Sequence, residues 1–398
     1  MKHKLFISIY DLLFLCLILS MIGYFAVLPI GNINIRHVFV FIGSVNVYLL
    51  ALSRLAEISV NKKEIQRFLL FFVIYLLQFV FSLKLNSEAI YAWLNFLSFY
   101  IILTTQRDYR VTKKHLKLTL LSGIIIGIIL LYLYFSPVAF IMENGRSNGA
   151  LALGMTNTNF TSIMISAVLY LIAINIGYIK RKLKKGLFIV LIIVLLYFIY
   201  LTQSRTSLVV ASLTITYIIF FKDVKIPNFI VIVVLAFPFA FAKLYVSLYK
   251  SGMTNQTIMG KELFSGREYI FEKALYGSQS IIETLFGNFG GCQFSNAHNG
   301  ALSILTTIGY IGMIIVYFNS GNKLISINKN GLDSSVSRIC FVCILSFFLE
   351  SCTEGVMFTG IFPGVGFIYI YNVFMSYKDN NNSMYIDKKG SVTEWVKS

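Results

Sequence analysis

Along this 398-residue chain apolar positions run together instead of alternating with polar ones. Stretches near 5–30, 38–52, 68–83, 88–105, 116–135, 156–179, 187–202, 206–221, 228–248, 297–318, 338–350 and 356–377 are apolar all round and bounded by charge. A helix without a polar face belongs in a core or in lipid. Runs of roughly 17–25 such residues match a helix that crosses a bilayer; the second, seventh, eighth and eleventh are shorter. The pattern predicts an all-α, polytopic transmembrane helix bundle of about twelve spans. The first run follows Lys2 and Lys4 as a signal peptide would. It is too long and lacks a small-residue cleavage site, so it reads as a retained anchor.

Composition strengthens this picture. Apolar residues make up 57% of the chain and charged ones 13%, half the charge of an average soluble domain. Mean hydropathy is +0.76. Disorder, a collagen-like repeat and a disulfide scaffold are excluded, for want of charge, glycine periodicity and cysteine. The net charge of +17, from 34 Lys and Arg against 17 Asp and Glu, would suggest nucleic acid in a soluble protein. Placement changes that. Termini and alternate loops on one side hold 25 of the 34 cations and the other side holds 9, while each side holds 8 acids. Positive loops stay cytoplasmic, so both termini are expected inside. The excess lies against anionic inner-leaflet lipid, and a nucleic-acid partner drops out.

The same rule resolves residues 187–221, broken only by Thr202-Gln203-Ser204-Arg205-Thr206-Ser207. One helix of this length would be about 52 Å long and would put Lys185 and Lys222 on opposite sides. A hairpin keeps both inside. Its arms are short, so its turn should sit recessed below the outer surface and carry Arg205 with it. Two outer loops are long, 136–155 and 249–296, and an external activity would be built there. Residues 1–377 read as a single transmembrane domain and 378–398 as a polar, flexible cytoplasmic tail.

Four outer constellations carry candidate chemistry. A charge at membrane depth costs about 3 kcal/mol by insertion scales. Arg205, among the hydroxyls of Ser204, Thr206 and Ser207, therefore reads as an anion-binding guanidinium, or else as a residue snorkelling to headgroups. Ser265-Gly266-Arg267-Glu268 has capping-box spacing, with Ser265 as N-cap, Glu268 three residues on and Arg267 in the first turn. Free N–H groups and a guanidinium converge there on an anion. The alternative is a solvated Arg267 paired with Glu268 or Glu272. Gly287-Asn288-Phe289-Gly290-Gly291 turns into Asn296-Ala297-His298-Asn299. His298, expected in the first turn of the tenth span, could be a general base, a phosphate contact or a structural hydrogen-bonder. Arg146 opens the first long loop and Asn157-Thr158-Asn159 closes it; these amides suit glycan hydroxyls, turns and caps alike. The pair Cys340 and Cys343 falls inside an apolar span, where packing explains it. No cluster of metal ligands and no P-loop is present in the sequence. Asp11 and Glu350, at span ends, are the candidates for buried acids.

Arg146 and Asn-x-Asn in one outer loop, a recessed Ser-Arg-Thr-Ser hairpin, then Ser-Gly-Arg and His-Asn in a large late loop resemble the bacterial O-antigen ligase and polysaccharide polymerase superfamily. The resemblance covers about residues 140–320 by motif and the whole chain by topology. The family usually has Asn-Pro-Asn where this chain has Asn157-Thr158-Asn159. The resemblance implies a bacterial cytoplasmic-membrane glycosyltransferase that takes a polyprenyl-pyrophosphate-linked glycan donor at the outer face, with no cofactor and no metal. Arg205 and Arg267 would then hold the pyrophosphate, and His298 would contact phosphate or activate the acceptor hydroxyl, with Glu268 or Glu143 as alternative bases. Arg146, Asn157, Asn159, Ser204, Thr206, Ser265 and Asn299 would line the pyrophosphate and glycan site. Membrane lipid, a flippase and a chain-length regulator would be the partners. A composition rich in Lys, Asn and Ile suggests an AT-rich genome, and on that association a polymerase is favoured over a ligase. An oligosaccharyltransferase and a lipid-linked-unit flippase are the competing readings.

Overall fold

The structure, a computed structural model, describes residues 9–27, 29–30, 33–58, 87–104, 111–143, 146–155, 157–177, 182–253, 257–258, 261–262, 266–277, 280–287, 297–355 and 361–377, with isolated helical positions at 66, 69, 72, 73, 76 and 80. Helices α1 (Ile9–Phe25), α2 (Ile35–Ile58), α3 (Ser87–Thr104), α4 (Lys113–Tyr134) and α5 (Thr158–Ala173) fall on the first, second, fourth, fifth and sixth apolar runs. The third run, 68–83, lies outside the described residues except at those isolated positions. Helices α6 (Lys182–Leu201) and α7 (Arg205–Thr216, continued as a π-turn to Phe221) form the expected hairpin, and α8 (Asn228–Lys250) follows. After it come the short α9 (Arg267–Tyr276) and α10 (Ile281–Phe286), then α11 (Gly300–Asn330), α12 (Ser335–Glu350) and α13 (Gly366–Met375).

Among the described residues, five helical stretches are long and apolar enough to cross a membrane: Ile35–Arg54, Lys113–Tyr134, Thr158–Ile176, Asn228–Lys250 and Gly300–Asn330. Shorter apolar helices run Ile9–Phe25, Leu94–Thr104, Lys185–Leu201, Arg205–Phe221 and Phe362–Met375. The chain is thus a helical, membrane-embedded bundle. Helices α5 and α13 form its centre, with nearly every side chain buried. Around them, α1 turns Ile9, Leu12, Leu15 and Leu19 outward, and α8 turns Phe229, Ile232, Val233, Phe237 and Leu244 outward. Large apolar side chains exposed at helical spacing fit a surface whose solvent is lipid.

Contacts at helix ends sort the bundle into two ends. At the proximal end, where α1 begins, His115 meets Asp11 at 3.0 Å. Arg54 donates to the Ile102 carbonyl and the Asn372 side chain, each at 2.9 Å. Asn328 reaches the Ile226 carbonyl, and Arg338 reaches Asp223. At the distal end Arg36 donates to the Gly154 carbonyl at 3.2 Å, and the Gly300 amide donates to the Ser351 carbonyl at 2.7 Å. Tyr48 bonds Asn95 and Arg54 bonds Ile102, so α2 and α3 run parallel and start at the same end.

Among the described residues, three two-stranded antiparallel hairpins modify the all-α expectation, all in connections between helices: β1 (Pro29–Ile30) with β2 (Ile33–Asn34), β3 (Phe140–Glu143) with β4 (Arg146–Leu151), and β5 (Thr257–Ile258) with β6 (Lys261–Glu262). A strand pair satisfies backbone groups locally where a connection leaves the bundle. The late loop is partly helical, as expected, through α9 and α10. At Gly309 (φ 68°) α11 kinks. A Cβ there would lie 2.3 Å from the Leu285 carbonyl oxygen, so glycine alone lets α10 pack against the kink.

Candidate functional site

The distal end gathers groups far apart in sequence around one carboxylate, Glu354. Its Oε1 takes hydrogen bonds from Arg267 Nη2 at 2.9 Å and Asn157 Nδ2 at 3.1 Å. Its Oε2 lies 3.1 Å from His298 Nδ1. The carboxylate side chain is 4% exposed, against 18% for Arg267 and 26% for His298. The anion therefore lies underneath, and the cation and the imidazole lie between it and solvent. Arg205, half-buried, is within electrostatic reach of Arg267 and of Tyr245 on α8. Two guanidiniums within electrostatic reach repel each other, an arrangement that an added anion relieves.

Local sequence explains how each group is held. Asn157 is the N-cap of α5, its Oδ1 accepting from the Asn159 and Phe160 amides, which leaves its amide N–H free to reach Glu354. The cap reading of Asn-x-Asn is therefore correct for Asn157, and one of its two faces also joins the cluster. Asn159 sits half-buried in the first turn. Arg267 opens α9, which docks on α8 through Tyr245 against Phe271, rings 5.5 Å apart, and a Tyr249–Tyr269 hydroxyl pair. Asn299 caps α11 through the Leu302 amide, and its buried Nδ2 donates at 2.9 Å to both the Pro238 and the Cys352 carbonyls. That bridge ties α8, α11 and the segment carrying Glu354 together beside His298. The His298 backbone is left-handed (φ 47°), a sparsely populated region for a residue with a Cβ, and its fixed neighbours hold it there.

Three expectations change. His298 precedes α11 instead of lying in its first turn, because Asn299 takes the extended N-cap conformation. Gly266, not Ser265, caps α9: it adopts φ 83°, which glycine tolerates, so the helix starts at Arg267 and Glu268 falls at the second helical position, out of capping-box register. Ser265 itself lies outside the described residues. Glu268 is buried and its Oε2 has no hydrogen-bond partner among the described residues. At the α6–α7 turn, Thr202 and Ser204 are buried. The Ser204 hydroxyl donates inward to Ser207, which also accepts from Ser162 at 2.7 Å. Ser204 thus bonds within the bundle, while Arg205 and Thr206 remain half-buried. Arg146 and Glu143 are register partners on the β3–β4 hairpin; their side chains lie outside the described residues.

Glu354 was not singled out by its sequence. The available signal was two acids, Glu350 at the end of one apolar run and Glu354 in the short connection to the next, where a carboxylate is costly. Of these Glu350 is buried in the bundle, accepting from the Tyr170 hydroxyl at 3.2 Å.

Chemically, the cluster offers two cations for an anionic group, an imidazole whose Nε2 is not the atom engaged by Glu354, and a buried carboxylate that fixes both. The chain matches no family model, no curated protein and no solved structure.

Proposed function

We propose that this chain is a membrane glycosyltransferase of about twelve spans that polymerises polyprenyl-pyrophosphate-linked oligosaccharide repeat units into a surface polysaccharide. It would sit in a bacterial cytoplasmic membrane, termini inside, with the distal end facing out. The observation that carries the reading is the convergence of Arg267, His298 and Asn157 on buried Glu354 with Arg205 in electrostatic reach. In the reaction the acceptor hydroxyl forms a bond to the donor's anomeric carbon while the bond from that carbon to the pyrophosphate oxygen breaks. The electron pair leaves with the pyrophosphate, and the hydroxyl proton passes to His298. Arg205 and Arg267 offset the charge that develops on the leaving group. Arg267 spends Nη2 on Glu354, and a guanidinium has further N–H donors to give. The polyprenyl tail would lie in lipid against the apolar outer faces.

The test is lipid-linked glycan analysis in a strain lacking its own copy and complemented with Arg205→Ala or Arg267→Ala. The reading expects normal protein level, no chain extension and single repeat units accumulating on lipid, facing out. Normal polymer length in both variants sinks it. Single units facing in point to a flippase. Intact polymer left on the lipid carrier points to a ligase or an oligosaccharyltransferase.

A further inference from the structure

We infer that Glu354 is a positioning residue that fixes the tautomer of His298 and the direction of Arg267, so that the imidazole presents Nε2 as the proton acceptor; this rests on the glycosyltransferase reading above. An ionised carboxylate only accepts hydrogen bonds. With Glu354 Oε2 at 3.1 Å from His298 Nδ1, the Nδ1 atom carries the proton and Nε2 keeps its lone pair. The two carboxylate oxygens divide the work: Oε2 serves the imidazole, and Oε1 serves Arg267 and Asn157. One buried group thereby sets the distance between the charge-binding and proton-accepting side chains, which stand at the starts of α9 and α11. The carboxylate cannot wander, because its segment is pinned at both Ser351 and Cys352 through their carbonyls to Gly300 and Asn299. A partner that orients a histidine and fixes its tautomer typically costs about 10- to 100-fold when removed from a metal site, and the same logic applies to an imidazole base.

The experiment compares Glu354→Gln, His298→Ala and the double variant in full-length protein. Polymer yield is measured in the complemented deletion strain, and the tautomer by nitrogen-15 NMR of histidine-labelled protein in liposomes. The chain has four histidines, and the His298→Ala spectrum assigns the signal. The expected result is a loss of about 10- to 100-fold in polymer for Glu354→Gln, a double variant that loses less than the two single losses combined, and a His298 signal that no longer reports the proton on Nδ1. A purely structural role would add to the His298→Ala loss. Should the Gln variant not accumulate, Glu354→Asp, which keeps the charge, is expected to make more polymer than His298→Ala. Wild-type polymer or an unchanged tautomer in Glu354→Gln, additive losses in the double variant, or an Asp variant no better than His298→Ala overturns the inference. If Arg205→Ala and Arg267→Ala polymerise normally, the glycosyltransferase reading fails instead, whatever the tautomer shows.

Discussion

Both ends of the bundle pair a carboxylate with an arginine, and they bury those pairs to different depths. At the proximal end Asp223 is 68% exposed, takes a hydrogen bond from Ser335 and meets Arg338 at 3.3 Å. At the distal end Glu354 is 4% exposed and holds Arg267, Asn157 and His298 together. The proximal pair staples the α7–α8 connection to α12 in a screened setting, where an ion pair contributes about 0–1 kcal/mol. The distal carboxylate has given up water, and only full hydrogen bonding makes that tolerable. On the sequence expectation, most of the chain's cations belong to the side where α1 begins, so burial and convergence, and not number, distinguish the distal cluster. Arg54 supports the distinction. It is buried, yet it bonds a carbonyl and an amide and lies over the Tyr369 ring, tying α2, α3 and α13 together.

The largest expected effect is at the distal cluster. Arg267→Ala should lower polymer formation about 100-fold or more, the scale of losing one group that stabilises developing charge, with protein level unchanged. An equal loss from Arg338→Ala would erase the contrast between the ends. Next is Asn299→Ala. It removes the cap of α11 and leaves the Pro238 and Cys352 carbonyls short of a donor, a cost of about 2–3 kcal/mol. A lowered midpoint of thermal unfolding in detergent should accompany reduced polymer. Unchanged stability would mean that the bridge does not hold the site.

Smaller is Asp223→Asn, expected to cost at most about 1 kcal/mol and to leave polymer length alone. The Ser335 hydroxyl, then the charges of Lys222 and Arg338, hold the Asp223 carboxyl below the usual aspartate range. A folded-state value below the unfolded one adds stability above the ordinary aspartate pKa, lost as pH falls through the folded value. The variant and the wild type should therefore differ slightly near neutrality and converge in acid below about pH 4. A difference that persists in strong acid would remove the carboxylate from the account. The smallest effect belongs to Glu272→Gln on the exposed Lys250–Glu272 pair, within about 0.5 kcal/mol. A marked polymer defect there would extend the site along α9.

Much of the helix layout was legible because its signal is local. The boundary expected at 116 is found at 113, that at 228 falls at 228, and the Thr202–Ser204 turn is where the charge argument put it. The hairpins were not legible, since strands two to six residues long leave no periodicity to read. The start of α9 was misread because the box Ser265-x-x-Glu268 and a positive-φ Gly266 compete for the same cap, and sequence spacing favours the box. Asn299 was named for contact with substrate, yet its amide and carbonyl are engaged by the bundle.

By itself the sequence determined the membrane-embedded helical character and most helix positions. Bilayer thickness and charge placement act on consecutive residues, so a linear pattern records them. Only the tertiary structure decided which carboxylate joins the cluster. Glu354 lies 87 residues from Arg267, 56 from His298 and 197 from Asn157. No local periodicity encodes separations of that kind; the packing of α5, α8, α11 and α12 brings those ends together.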